Sequence, residues 1–383
     1  MAVYEYALAN RKRDLSEVLS TVIANEPRFI SSFPRRGIYA VARKHEWLED
    51  QIAGRSLTVT SITDSTVTAS ADDVAKILIG TLFTVKNDTA LFRVTSKPSS
   101  TTFNLELVAG NGSSTTAPAA DDVLNIVSTP MKEATSDGDG EETHRVVGKD
   151  YNYTMILRKD IVVSGTALAV DTFDNVENSI NRQTEFALSE AVRDLNRLAL
   201  YGHRVEPGIA TNGAFGGLYE FGVQSGGLYV DASTAMLDSY VINDAAQAVL
   251  GEGGNPTQIL CSPGQARVLS NEYKGNLHIV REDTMRGAYV ALIVNEINGR
   301  TMSIMADPDM PDNECWVNDV EGFSVAPLKG RDLADVDATP KGFDGIKRTA
   351  IGELTLEFRN AKQRLCRIYN LKPSAQALTE LRA

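Results

Sequence analysis

From Phe173 onward the apolar residues Val176, Ile180, Ala187, Ala191, Leu195 and Leu198 recur at steps of three and four, with the stripe broken only at Thr184. The spacing predicts one amphipathic helix from about Asp174 to Tyr201. At 1.5 Å per residue it would run about 40 Å, longer than a small domain is wide. A helix of that length acts as a spine, and the rest of the chain has to be laid along it. Asp174 and Glu177 are placed as an N-cap and its N3 partner, and Gly202 stands where a left-handed residue would end the last turn. On the opposite face Arg182 with Glu185, Glu190 with Arg193 and Asp194 with Arg197 are spaced to pair along the surface.

The 383 residues, 43% hydrophobic and 23% charged, suffice for two or three domains with real cores. The first fifty residues read as an arm. Asp14 and Glu17 form a capping pair ahead of Leu15, Val18, Leu19, Val22 and Ile23, which predicts a short helix ending before Pro27. Phe29, Ile30 and Phe33 follow on a segment too short to build its own core, so they need a surface on the same subunit or on a neighbour. From about Ile52 to Pro130 Ser and Thr dominate and short alternating runs replace helical spacing. Candidate strands are Ser56 to Ile62, Thr66 to Ser70, Leu82 to Val85, Ala90 to Thr95, Thr102 to Val108 and Val123 to Val127, enough for a small barrel or sandwich. An acidic connector, Thr135 to Glu142, leads out of this region, and Asn152 to Ser164 reads as a strand.

Beyond the spine, Gly208 to Gly227 reads as flexible connection. Mixed α/β sequence follows: helices over Met236 to Leu250 and Pro263 to Tyr273, a strand at Thr257 to Cys261, and a hairpin turning at Asn298-Gly299. Strands are also expected at Glu314 to Val317 and Gly322 to Pro327, then a loose segment, Leu328 to Gly345. The chain closes with two alternating strands, Glu353 to Arg359 and Arg364 to Leu371, joined at Asn360-Ala361-Lys362.

No reaction is named by these residues. Lys and Arg total 38 against 50 Asp and Glu, a net charge of -12, which argues against gripping nucleic acid. Cys261, Cys315 and Cys366 are too few and too widely spaced for a disulfide framework or a thiolate zinc site. His45, His144, His203 and His278 stand far apart, and His45-Glu46 lacks the second His of a zinc-protease helix. Asp137, Asp139 and Glu141 alternate with glycines at the wrong offsets for a calcium loop. Gly148-Lys149 lacks the first Gly and the hydroxyl residue of a phosphate loop, and Ser164-Gly165 lacks the Gly of a nucleophile elbow. We therefore expect no enzyme, no cofactor and no catalytic or metal-binding residue. The stretch from Met1 to Arg13 has no apolar core of secretory length, and Ile77 to Val85 is far too short for a membrane span. Synthesis in a reducing cytoplasm, without a membrane partner, is expected.

The order of arm, long β excursion, spine, α/β body and returning strands resembles the major capsid proteins of tailed bacteriophages, an α+β architecture known as the Hong Kong 97-like fold. Local sequence narrows the resemblance to a podovirus-type capsid family once catalogued as a domain of unknown function. The marks are Asp14-Leu15-Ser16-Glu17-Val18-Leu19, Glu26-Pro27-Arg28-Phe29, His45-Glu46-Trp47-Leu48-Glu49-Asp50, Asn152-Tyr153-Thr154, Val163-Ser164-Gly165-Thr166-Ala167 and Gly352-Glu353-Leu354-Thr355-Leu356-Glu357. The resemblance implies an N-arm over 1–50, an extended E-loop over 51–150 carrying the β insertion of about 52–130, and a peripheral domain over 151–208. It places an axial domain over 209–345 and a return to the peripheral domain over 346–383.

The implied function is self-assembly into hexamers and pentamers of an icosahedral shell enclosing phage double-stranded DNA, as part of the virion. Phe29, Phe33 and Trp47 are the expected subunit-interface residues. Implied partners are further copies of the chain, a portal and a decoration or cement protein. The prototype's long scaffolding segment has no counterpart before this arm, which implies a separate scaffolding protein. The prototype's Lys to Asn crosslink is not expected, because Lys76, Lys86 and Lys97 show no local mark of it. Rival expectations are an encapsulin-like nanocompartment shell and, more weakly, a carbohydrate-binding or carbohydrate-active surface protein using the β module.

Overall fold

The computed structural model describes residues 27–34, 36–50, 56–75, 77–85, 90–109, 118–131, 148–169, 180–272 and 292–381. The arm helix expected over Asp14 to Ile23, the acidic connector and the first turns of the spine lie outside them. The chain divides into two compact units, Asp50–Gly148 and the remainder, Met1–Glu49 with Lys149–Ala383. It leaves the larger unit at the end of strand β1 (Lys44–Glu49).

The smaller unit is a closed barrel. Its strands are β2 (Ser56–Thr58), β3 (Ser61–Thr63), β4 (Thr66–Thr68), β5 (Leu82–Val85), β6 (Leu91–Ser96), β7 (Thr102–Ala109) and β8 (Val123–Ser128), in the spatial order β2-β8-β5-β6-β7-β4-β3. The two end strands are consecutive pieces of one run, interrupted at Val59-Thr60, where Val59 N donates to Asp122 O at 2.9 Å and Thr60 N to Thr68 O at 2.8 Å. The sheet therefore meets itself, which removes the open edges a flat sheet would expose. Alternation along β6 and β7 turns Phe92, Val94, Phe103 and Leu105 inward, where they pack with Phe83, Val67 and Leu124. A short helix, α1 (Ala71–Ala75), was not visible in the alternation. Lys97 Nζ closes the turn after it by donating to Val74 O and Ile77 O at 2.8 and 2.7 Å.

The larger unit resumes with β9 (Gly148–Tyr153), paired to β1, and β10 (Met155–Ser164). Then come α2 (Gly165–Ala169), the spine α3 (Ile180–Tyr201), β11 (Leu228–Asp231), α4 (Ser239–Gly251), β12 (Gln258–Cys261) and α5 (Pro263–Glu272). The chain continues with β13 (Leu292–Val294), β14 (Thr301–Ala306), β15 (Cys315–Asn318), β16 (Phe323–Pro327), β17 (Ala334–Asp337) and β18 (Gly345–Phe358). It ends with α6 (Ala361–Arg364), β19 (Leu365–Tyr369) and α7 (Ser374–Glu380).

Two sheets carry this unit. In the first, β18 pairs along ten residues with β10, from Met155 opposite Leu354 to Ser164 opposite Gly345, and its other edge takes β16 and β17. The spine buries Ala187, Ala191, Leu195, Ala199 and Leu200, and the small residues of that set let it pack closely. The second sheet runs β11-β19-β15-β12-β14-β13. Strands β12 and β15 are buried on both faces: Leu260 and Trp316 face the core that holds the spine, while Ile259, Cys261, Cys315 and Val317 face α4 and α5.

Several expectations change here. The two closing strands, expected to be joined at Asn360-Ala361-Lys362, do not pair with each other: Asn360, at φ 53°, turns the chain so that β18 and β19 join different sheets. For the same reason the expected division at 209–345 and 346–383 does not follow the pairing, since β16 and β17 belong with β18, while β19 belongs with β11 and β15. The segment expected to be loose contains β17. Gly202 is not left-handed; it is needed for close approach, because a Cβ there would lie 2.5 Å from the carbonyl oxygens of both Leu198 and Phe215. Gly217 likewise seats on the end of α3, 2.5 Å from Leu198 O for a Cβ, so this stretch is packing rather than flexible connection. The charges of α3 reach outward to other elements: Asp194 pairs with Lys159 of β10 at 2.6 Å, and Arg197 with Asp309 at 2.9 Å.

Candidate functional site

The polar residues of the motifs are spent on holding the arm and β1 to the body. Along β1 every second side chain points inward. His45 Nε2 meets Glu357 Oε1 at 2.5 Å, Trp47 Nε1 donates to Glu49 Oε1 at 2.8 Å, and the same Glu49 oxygen accepts from Asn360 N at 2.7 Å. Lys44, Glu46 and Leu48 face out, with Lys44 and Glu46 paired at 2.6 Å. Burial by itself raises the Glu357 carboxyl, but the hydrogen bonds from His45 and Arg359 outweigh it and hold the group below its ordinary value.

Asn152 is fully buried and makes four hydrogen bonds. Its Nδ2 donates to Leu356 O at 2.8 Å and Gly216 O at 3.1 Å, while its Oδ1 accepts from Gly216 N at 2.7 Å and Tyr153 N at 3.0 Å. Two residues on, Thr154 Oγ1 donates to Glu353 Oε1 at 2.7 Å, and Arg331 pairs with the other Glu353 oxygen at 3.1 Å. A side-chain amide that satisfies both a donor and an acceptor on the opposing turn fixes register as well as distance.

A second anchor joins the arm to the spine. Asp307, fully buried, accepts from Phe29 N and from Asn196 Nδ2, both at 3.0 Å, and Asn196 Oδ1 accepts from Ile30 N at 3.0 Å. The spine pattern alone gave no sign of this pair, although an Asn on the apolar side of an otherwise regular helix is the trace it leaves in the sequence. The acids Glu353 and Glu357 were also missed as anchors. Their trace is acidic residues alternating through the apolar run Gly352–Phe358, where every side-chain position is buried.

The three residues expected between subunits lie in the chain's own core: Phe29, Phe33 and Trp47 are 0%, 5% and 5% exposed. Phe29 and Phe33 meet edge to face at 5.0 Å, Phe33 packs on Phe323 and Phe358, and Trp47 lies 5.9 Å from Phe221. Of the two surfaces open to these rings, the structure provides the one on the same subunit.

Chemical machinery is not assembled among the described residues. No group of three or more His, Cys, Asp or Glu is placed to hold a metal. His203 pairs with Glu220 at 2.9 Å, while His144 and His278 lie outside the described residues. The three cysteines, far apart in sequence, come together on β12, β15 and β19, free and buried. The neighbouring Cys261 and burial push the Cys315 thiol up, and burial pushes Cys366 up to about 12, so neither is a ready nucleophile. The Lys97 ammonium is engaged by two carbonyls; Lys76 and Lys86 lie outside the described residues.

What remains open is apolar surface. Ile209 stands fully exposed at the tip of a loop closed by the Val205–Ala214 bridge. In the arm, Ala40 is pinned by hydrogen bonds to Pro327 O and from Lys329 N, and Tyr39 and Val41 on either side face outward, Val41 at 84% exposure. A cleft of about 600 Å³ beside the Ile209 loop is lined by Arg43, Ile156, Pro207, Asn212, Leu328 and Arg331, among others.

Comparison with known proteins gives this surface a context. The family model described as SU10 major capsid protein matches residues 3–372. No curated protein matches the sequence. Among solved structures, the capsid asymmetric unit of cyanophage A-1(L) is 11% identical, with a TM-score of 0.54 over 96% of this chain and 98% of that one. Mycobacterium phage Bobi gives 12% identity and 0.48 over 96% and 99%. The holo-SrpI encapsulin complex from Synechococcus elongatus PCC 7942 gives 10% and 0.44 over 60% and 78%. The cyanophage likeness shows the Hong Kong 97-like fold.

Proposed function

We propose, from the premise that this chain belongs to the SU10 major capsid protein family, that its work is wholly mechanical. It is a major capsid protein, and copies of it associate into the shell of the virion. In our reading the copies form the hexamers and pentamers of an icosahedral shell around double-stranded DNA, and the chain catalyses no reaction. The observation that carries this is the division of side chains. The buried polar groups of the motifs are committed to internal anchors, while Ile209, Tyr39 and Val41 are left uncovered. Apolar side chains held out in water gain by being covered, and in this reading a second copy covers them. We assign the arm to 1–50 and the excursion to 51–150. Within the larger unit we redraw the peripheral and axial parts along the two sheets.

A separate scaffolding protein, a portal and a decoration protein complete the assembly in this reading, and synthesis takes place in the host cytoplasm. The net charge of -12 suits a container that holds DNA without gripping it, since an acidic wall repels phosphate. The carbohydrate reading loses its footing in composition. Phe83, Phe92 and Phe103 are the aromatics of residues 50–148, and all three are buried in the barrel, which leaves no ring to stack on a sugar.

Particles purified after nuclease treatment separate the shell readings. Protected double-stranded DNA is the expected content. Particles holding only a protein cargo would favour the nanocompartment instead.

A further inference from the structure

Three Asn-Gly pairs occur in the chain, Asn111-Gly112, Asn212-Gly213 and Asn298-Gly299. The first lies outside the described residues. The other two are both on exposed turns, so solvent access does not distinguish them. Their hydrogen bonding does. Gly299 N donates to Asn295 O at 2.8 Å, and Asn298 Oδ1 accepts from Arg300 N at 3.0 Å, which fixes both the nitrogen and the amide of that pair. Neither Gly213 N nor the Asn212 amide has a hydrogen-bond partner among the described residues.

We propose that Asn212 is a site of spontaneous deamidation, and that the fold protects Asn298 from the same reaction. The backbone nitrogen of Gly213 attacks Cγ of Asn212, forming a C–N bond and a five-membered succinimide. The Cγ–Nδ2 bond breaks and ammonia leaves. Water then opens the ring at either carbonyl, giving aspartate or isoaspartate, so that one amide and one water become one carboxylate and one ammonium. Glycine is the permissive neighbour because no Cβ shields its nitrogen. The fold also requires it: a Cβ on Gly213 would lie 2.7 Å from Cβ of Pro207. The susceptible pair therefore cannot be relieved by substituting its glycine without disturbing the loop.

The product has a local consequence. Asn212 lines the same cleft as Arg43 and Arg331, so the reaction adds a carboxylate to a wall that carries two guanidinium groups. It does so in the loop that exposes Ile209, and the isoaspartate form lengthens that backbone by one methylene. The subunit's charge and shape there change with age.

The test is peptide mapping by mass spectrometry on the full chain, incubated at mildly alkaline pH, folded and in guanidinium. In the folded chain, conversion at Asn212 should exceed that at Asn298 by about tenfold or more, the factor one to two ordinary hydrogen bonds set. In the unfolded chain the two sites should convert at similar rates. Asn212→Gln should abolish the signal in the 205–214 loop and leave Asn298 unchanged. Equal rates in the folded chain, faster conversion at Asn298, or no conversion at Asn212 would each overturn the proposal.

Discussion

Glu357 sits at the junction of β1 and β18 with its carboxylate between His45 and Arg359, and its ionisation ties stability to pH. Its folded value lies below the ordinary 4.5, so the folded state binds its proton less readily than the unfolded chain does. The stability it contributes is therefore complete above about pH 4.5 and is lost as pH falls through the lower, folded value. Glu357→Gln should lower the melting temperature at neutral pH and flatten its decline under acid; an unchanged acid slope would remove Glu357 from the account. Trp47 tests the arm in the same way. It fills the core of its own subunit, so Trp47→Ala should cost about 3 to 5 kcal/mol in denaturant unfolding of the isolated subunit. A loss confined to assembly, with the unfolding midpoint unmoved, would return the ring to an interface.

At the level of elements, the spine and the barrel are separately checkable. Gly217 seats on the carbonyl oxygens of Leu198 and Ala199 only because it has no side chain, so Gly217→Ala should destabilise the larger unit by roughly 1 to 3 kcal/mol. The barrel has its own core, and Phe103→Ala should cost it about 3 to 5 kcal/mol. Calorimetry should then show two transitions that respond separately, Phe103→Ala moving one and Gly217→Ala the other. A single transition shifted by both would show that the units melt as one.

These elements also mark what a sequence discloses. Barrel strands were legible because period-two alternation is a local property, and five of the six expected runs fall within a residue or two of those observed. Helix α5 was legible from Pro263 at its first turn. Partners were not. That Asp194 would choose Lys159 over Arg197, or that β18 and β19 would part at Asn360, depends on contacts between residues far apart in the chain. Spacing within a segment carries no record of them.

For the whole molecule, the architecture is a body with one long excursion, and its motifs are the anchors that keep arm, β1 and β9 in place. Asn152 and Glu353 stood among the family marks without a chemical role because their role is to fix one strand against another. Such anchoring suits a subunit that must hold one shape while its outer surface meets copies of itself. Copies of this chain, in the function proposed for it, close into shells. Electron microscopy of the purified chain, alone and co-expressed with its scaffolding protein, with light scattering across a range of concentrations, tests this directly. Closed particles, or hexameric and pentameric rings, should form as concentration rises; a monomer at every concentration in both preparations, with no ring or shell on the grid, would contradict it.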